Sequence, residues 1–369
     1  MPTGFPKLGF NAGKRAAVNL QAPVSLQAPV SLQARANLQA PTNLQARANL
    51  QEARTQVITN VKKIYRDVEI YPSANIPHTS YEVLAIDCRP LKLDEDGKHL
   101  EIPASDPSAP DPSAPIFFKP QGAAWVPDVC ETNPEVTAEL REITDEWENA
   151  KNDPLLRGLH SQVWYVFLGL ERMFFQFRRE FDLQGDRESL LNLREVSKWV
   201  KSGSIVPSVI AERFYPAIWG SIRCSPAATF VPKKLLYPTG TPPHTMVHIL
   251  IEQEPSETLT RAEVMILTAT MITRLEGEDC LGYDTIPVMA ITIFGQMKAR
   301  VIEAHCTPQV LVIKKTDLLD FSTNKVANKN MDILLGFMCA DLVMCADPVE
   351  DARAYSSYED PKGVEYRYS

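Results

Sequence analysis

A chain of 369 residues with 44% hydrophobic content is long enough for two average domains, or one with extended arms, and has the apolar side chains for a real core. Its formal charge of −8 gives no whole-chain basis for binding nucleic acid, which needs clustered positive charge. The best apolar run, VWYVFLGL from Val163 to Leu170, is closed by Glu171 and Arg172 and falls short of the roughly 20 residues that cross a bilayer, so no membrane span is expected.

The amino terminus lacks the apolar centre of a secretory signal, which predicts a reducing compartment for the seven cysteines. They are scattered, at Cys88, Cys130, Cys224, Cys280, Cys306, Cys339 and Cys345, with no C-x-x-C pair, so neither a disulfide framework nor structural zinc is expected. A cytoplasmic location follows, with the nucleus as an alternative. Six basic residues against one acid through Arg54 make a mitochondrial leader a further alternative, opposed by Pro2, Pro6 and Pro23, which interrupt the helix such a leader forms.

From Leu20 to Gln51 a six-residue unit, LQAPVS or LQARAN in type, repeats. Six residues turn an ideal helix through about 600°, so successive leucines build no stripe. The alternation suits a hexapeptide β-helix better, but Pro23, Pro29 and Pro41 remove backbone donors. Residues 1–49 therefore read as a disordered repeat arm.

Order is expected to begin near Leu50. Leu50, Val57, Val61 and Ile64 predict an amphipathic helix, and the acidic turn Asp94-Glu95-Asp96-Gly97 a hairpin, giving a helix-plus-hairpin segment at 50–102. The turn lacks calcium-loop spacing and reads as solvated. Residues 103–132 form a Pro-rich linker carrying Phe117, Phe118 and Trp125, aromatics expected to clamp onto the neighbouring domain.

Residues 133–346 are the expected globular domain. Asn133-Pro134 opens a helix with an apolar stripe of Val136, Leu140, Ile143 and Trp147. A long core helix is predicted from Pro154 to Phe181, and a further one from Asp186 to Lys201. Beyond Ala227 come short β-like runs at TFVPKKLLYP and HTMVHILIEQEP, then a helix whose Thr260 and Glu263 have capping-box spacing. Three strands starting at Ile286, Lys298 and Gln309 predict an antiparallel meander, followed by a helix with a stripe of Met331, Leu334, Leu335, Met338, Leu342 and Cys345. The expected fold is α+β, a helical layer on a mainly antiparallel sheet. Residues 347–369, with six acids and four tyrosines, read as a disordered tail.

TRAEVMILTATMITRL, IPVMAITIFGQMKARVIEAH and VLVIKKTDLLDF, between about Leu259 and Cys345, resemble the carboxyl-terminal region of a group of fungal proteins without established activity. That resemblance implies a fungal source and solubility, and no reaction. The order of one helix and three strands is also similar to PD-(D/E)XK nucleases, which would make Glu263 and Glu303 metal-binding carboxylates and Lys314 the catalytic lysine. The chain departs from that pattern at Val312, which stands where an acid is required.

His305 beside Cys306 is a further reactive candidate, although neighbouring strand residues face opposite ways. His244 and His248, four apart on a strand, are too distant to share a metal. No phosphate loop, nucleophile elbow or H-E-x-x-H helix occurs. No cofactor or metal is expected. Two functions remain: a non-catalytic interaction or accessory protein, with a protein partner, or an enzyme on a small apolar metabolite. A closed pocket with several polar groups would point to the enzyme, and a flat groove to the binder.

Overall fold

The structure, a computed structural model, describes residues 31–100, 115–130, 133–183, 187–203, 205–206, 210–236 and 241–343. The arm before Ser31, the proline repeat up to Ala114 and the tail fall outside the described residues. The chain divides into two compact units, Met1–Leu44 and Gln45–Ser369. Of the first, only the helical backbone from Ser31 is described.

Helix α1 spans Ser31–Glu69 and so includes the last hexads, where the sequence predicted a spacer. Ala, Leu, Gln and Arg all favour helix, and this propensity outweighs the missing stripe. Val57, Val61, Ile64, Tyr65 and Val68 are buried. Strands β1 (Asn75–Ile76), β2 (Ile86–Pro90) and β3 (Phe118–Lys119) follow, with the expected turn at Gly97 between β2 and β3. Helix α2 (Pro134–Ala150) begins where Asn133 accepts from the amides of Glu135 and Val136, and buries the predicted stripe.

Helix α3 is shorter than predicted, at Leu159–Gln176. Phe177 turns extended, and β4 (Arg178–Leu183) pairs with β5 (Arg187–Asn192) as a hairpin. The helix predicted over 186–201 is instead β5, the single turn α4 (Leu193–Val196), and β6 (Trp199–Lys201). Asn192 and Glu195 form a capping box that starts α4, and long-range pairing of Trp199 with Pro232 draws the rest into the sheet.

Next come α5 (Ala211–Ile222), β7 (Cys224–Pro232), β8 (Thr245–Ile251), β9 (Leu259–Thr260) and α6 (Arg261–Glu276). The chain continues through β10 (Val288–Phe294), β11 (Lys298–Cys306), β12 (Leu311–Lys315), β13 (Leu319–Asp320), α7 (Asn324–Met338) and β14 (Asp341–Leu342). The central sheet has the order β2-β12-β11-β10-β8-β7-β6, with β13 beside β11. Pairings are antiparallel except β8 with β10 and β12 with β2.

Helix α6 is the crossover between parallel β8 and β10, which places it against one face of the sheet. On that face α1, α5 and α6 cover Val247, Ile249, Ala290, Ile302 and Ile313. On the other, α2, α3 and α7 cover Met246, Leu250, Met289, Ile291 and Val301. The fold is α+β with a mainly antiparallel sheet between two helical layers. Among the described residues no helix is long and apolar enough to cross a membrane.

Phe118 is fully buried and Phe117 nearly so, held where β3 pairs with β14, Lys119 opposite Asp341 and Phe118 opposite Leu342. This two-strand clasp is positioned by a close approach of backbones. A Cβ on Gly336 of α7 would lie 3.0 Å from the nitrogen and oxygen of Gly122, which itself has φ +88°.

Candidate functional site

Alternation along β11 decides where the candidate residues go. Arg300, Ile302 and Ala304 point to the α6 layer, while Glu303 and His305 point to the opposite face. Lys314 stands opposite Glu303, and Asp87 and Arg89 stand opposite Val312 and Lys314. Glu303, His305 and Lys314 therefore share one face with Asp87 and Arg89. Glu263 is across the sheet from them.

Glu263 is fully buried. Its carboxylate accepts from Arg300 Nε at 2.8 Å, from Arg300 Nη2, and from the backbone and hydroxyl of Thr260 at 2.8 and 2.9 Å. Arg300 directs two further donors to the Ser256 and Thr258 carbonyls, at 2.8 and 3.0 Å. Burial alone would push the carboxyl up, but the guanidinium charge and these hydrogen bonds hold it below the usual range. With its acceptor capacity taken, Glu263 is a structural pin between α6 and β11.

On the other face Glu303 meets His99 Nε2 at 2.8 Å, and Lys314 Nζ donates to the Pro115 carbonyl at 3.2 Å. Arg89 grips Asp87 in a fork, with Nη2 2.6 Å from Oδ2. The His305 ring lies 4.9 Å from that of Phe117. Burial, with the charges of Lys314 and Arg89, lowers its pKa to about 4. Its neighbour Cys306 faces the other way, towards Asn60 of α1, and burial pushes that thiol up to about 12. The two do not form a reactive pair.

His305 does border a cavity of about 330 Å³ at the end of the sheet. Its floor is the carboxyl end of β11, with His305 and Thr307, and the residues entering β8, Pro243 and His244. The loop entering β10 adds Tyr283, Asp284, Thr285 and Pro287, and the clasp region adds Pro115, Phe117 and Val343 as a roof. The roof is tied down by the Val343 amide donating to the Phe117 carbonyl at 2.9 Å. His244, 1% exposed, places Nε2 3.1 Å from the same carbonyl. Burial lowers its pKa to about 4, against a smaller opposing effect of the Phe117 and Val343 backbones.

Sequence reasoning weighed His244 only as a partner for His248. His248 is fully buried elsewhere, its ring between those of Phe167 and Phe230 and its Nδ1 3.2 Å from Glu171. Among the described residues no group of three or more His, Cys, Asp or Glu is placed to hold a metal ion.

A second cleft of about 330 Å³ lies in the helical layer, walled by Leu140, Met173, Phe177 and Met331. Asp128 and Asp332 line it, and burial, reinforced by the charge of Asp128, raises the Asp332 pKa to about 7. Asp332 follows Met331 of the predicted stripe and had no signal of its own beyond being an acid next to an apolar face. No protein-family model matches the chain, and neither curated proteins nor solved structures give a match.

Proposed function

We propose that this chain is a non-catalytic binding protein that holds a small ligand in the cavity beneath the clasp. One observation carries the reading: among the described lining residues, neither histidine is poised to transfer a proton at neutral pH. Efficient acid–base catalysis at neutral pH needs a side chain titrating near the working pH. His244 and His305, each at about 4, stay neutral instead. The Cys306 thiol is protonated and faces away. The cavity has the several polar groups first associated with an enzyme, but their ionisation supports recognition.

A second reading, acid–base chemistry on a small apolar molecule in the helical layer, is favoured by Asp332, which titrates near 7 beside Asp128. A fragment screen by ligand-observed NMR separates the two. On the binding reading, hits are lost on filling the cavity with Thr285→Trp and kept by Asp332→Asn. Hits that survive Thr285→Trp, vanish in Asp332→Asn and are chemically converted would replace it with the second.

A further inference from the structure

The cleft in the helical layer, about 330 Å³ between α2, α3, α7 and the loop after β3, has two chemically distinct parts. Leu140, Met173 and Phe177 give it an apolar floor, and Val129, which also lines it, is left 47% exposed. A thioether beside an aromatic ring makes a wall that adapts to the shape of a hydrocarbon. Its volume lies at the small end of ligand pockets.

The polar part centres on Asp332 of α7, which is partly buried and keeps some of its surface open to the cleft. Burial raises its pKa, the Asp128 charge adds to that, and no donor or cation among the described residues opposes them. Arg141 and Asp145 of α2 line the cleft as well. Both are exposed and neither sets the Asp332 titration, so Arg141 does not serve as its counter-ion. The loop that carries Asp128 is anchored on either side. Arg179 donates to the Trp125 carbonyl and lies over that ring at 4.5 Å, and the Cys130 amide donates to Thr137 Oγ1 at 2.8 Å. Two carboxyls are thereby held within electrostatic reach of each other beside an apolar floor, an arrangement that a cation relieves.

We propose that this cleft is a second binding site, apart from the cavity beneath the clasp, for a small amphipathic amine. Its ammonium takes the place of the proton on Asp332, close to Asp128, and its hydrocarbon body lies between Val129 and the Leu140, Met173 and Phe177 floor. The displaced proton leaves to solvent, and no bond of the ligand is made or broken. A neutral isostere keeps the apolar contact and loses the charge-assisted bond, and an anion is repelled. The site stands whether or not the clasp cavity is occupied.

Isothermal titration calorimetry on the full chain with phenethylamine, phenethyl alcohol and hydrocinnamate as probes tests this. At pH 8 the amine is expected to bind at least about tenfold more tightly than the alcohol, the scale of a charge-assisted over a neutral hydrogen bond, and hydrocinnamate not at all. From pH 8 to pH 6 the amine should weaken about tenfold, because a carboxyl titrating at about 7 passes from mostly ionised to mostly protonated while the ammonium keeps its charge. The alcohol should not respond to pH. Asp332→Asn should bring the amine close to the alcohol and flatten its pH dependence, and Thr285→Trp should change neither.

Alcohol binding as tight as that of the amine, a pH dependence that persists in Asp332→Asn, or no binding of any probe by the folded parent at millimolar concentration overturns the proposal. Amine binding lost in Thr285→Trp and kept in Asp332→Asn also overturns it, by placing the amine beneath the clasp, and leaves the binding reading of that cavity standing. Recovery of the amine unaltered supports binding, whereas its conversion would make Asp332 a proton carrier and overturn the assignment.

Discussion

Mild acid should destabilise this protein by an amount set by three side chains of opposing sign. His244 and His305 titrate at about 4 in the folded chain against 6.5 for a free histidine, so between those values the unfolded chain holds two protons that the native one excludes. Asp332 works the other way, because it titrates at about 7 against 3.8 and the native state holds a proton that the unfolded state has lost. The balance is one extra proton on the unfolded chain. Unfolding free energy should therefore fall by about 1.4 kcal/mol for each unit of pH lost, or about 2 kcal/mol from pH 6.5 to 5. That is a large fraction of the roughly 5–15 kcal/mol typical of a folded domain. Urea unfolding at constant ionic strength, followed by tryptophan fluorescence, reads the slope directly. Asp332→Asn should about double it, and joint His244→Gln and His305→Gln should reverse its sign. A parent slope near zero that neither variant moves would refute the assignment of these protons.

Removing the counter-ion of Glu263 by Arg300→Met should cost about 3–5 kcal/mol in urea unfolding, since it strands a buried carboxylate; a loss under about 1 kcal/mol would contradict the pinning role. Gly169→Ala would set a Cβ 2.2 Å from Trp147 Nε1, so about 1–3 kcal/mol of overpacking strain and altered tryptophan emission are expected, because Trp147 stacks on Tyr165 at 5.3 Å. Unchanged emission and melting temperature would count against that contact. The Cys224 and Cys306 thiols, pushed up by burial, should resist a thiol reagent at pH 8 until urea unfolds the chain, and rapid native labelling of either would contradict their placement.

Local signals made part of this fold legible. The meander β10–β12 follows from β-rich runs separated by tight links, the α6 start from Thr260 and Glu263, and α2 from Asn133-Pro134 with its stripe. What the sequence could not convey was pairing at a distance. Residues 178–201 contain spacing that suits a helix, yet β6 is drawn into the sheet by β7, some thirty residues on. Likewise α6 reads as the helix before a meander, and only its role as the crossover from β8 to β10 puts Glu263 on the far face from Glu303 and Lys314. The site was less legible still. His305 stood out as a strand-end histidine, but the neutrality of His244 comes from its burial in the fold, and the proton on its Nε2 from the Phe117 carbonyl, 127 residues away in the chain.

The ¹⁵N spectrum of the His244 imidazole, assigned by the signal lost in His244→Gln, tests the binding claim most directly. At neutral pH Nε2 should carry the proton, and the ring should stay neutral down to about pH 5, as the cavity reading requires. A ring that takes up a second proton near neutral pH would contradict the account.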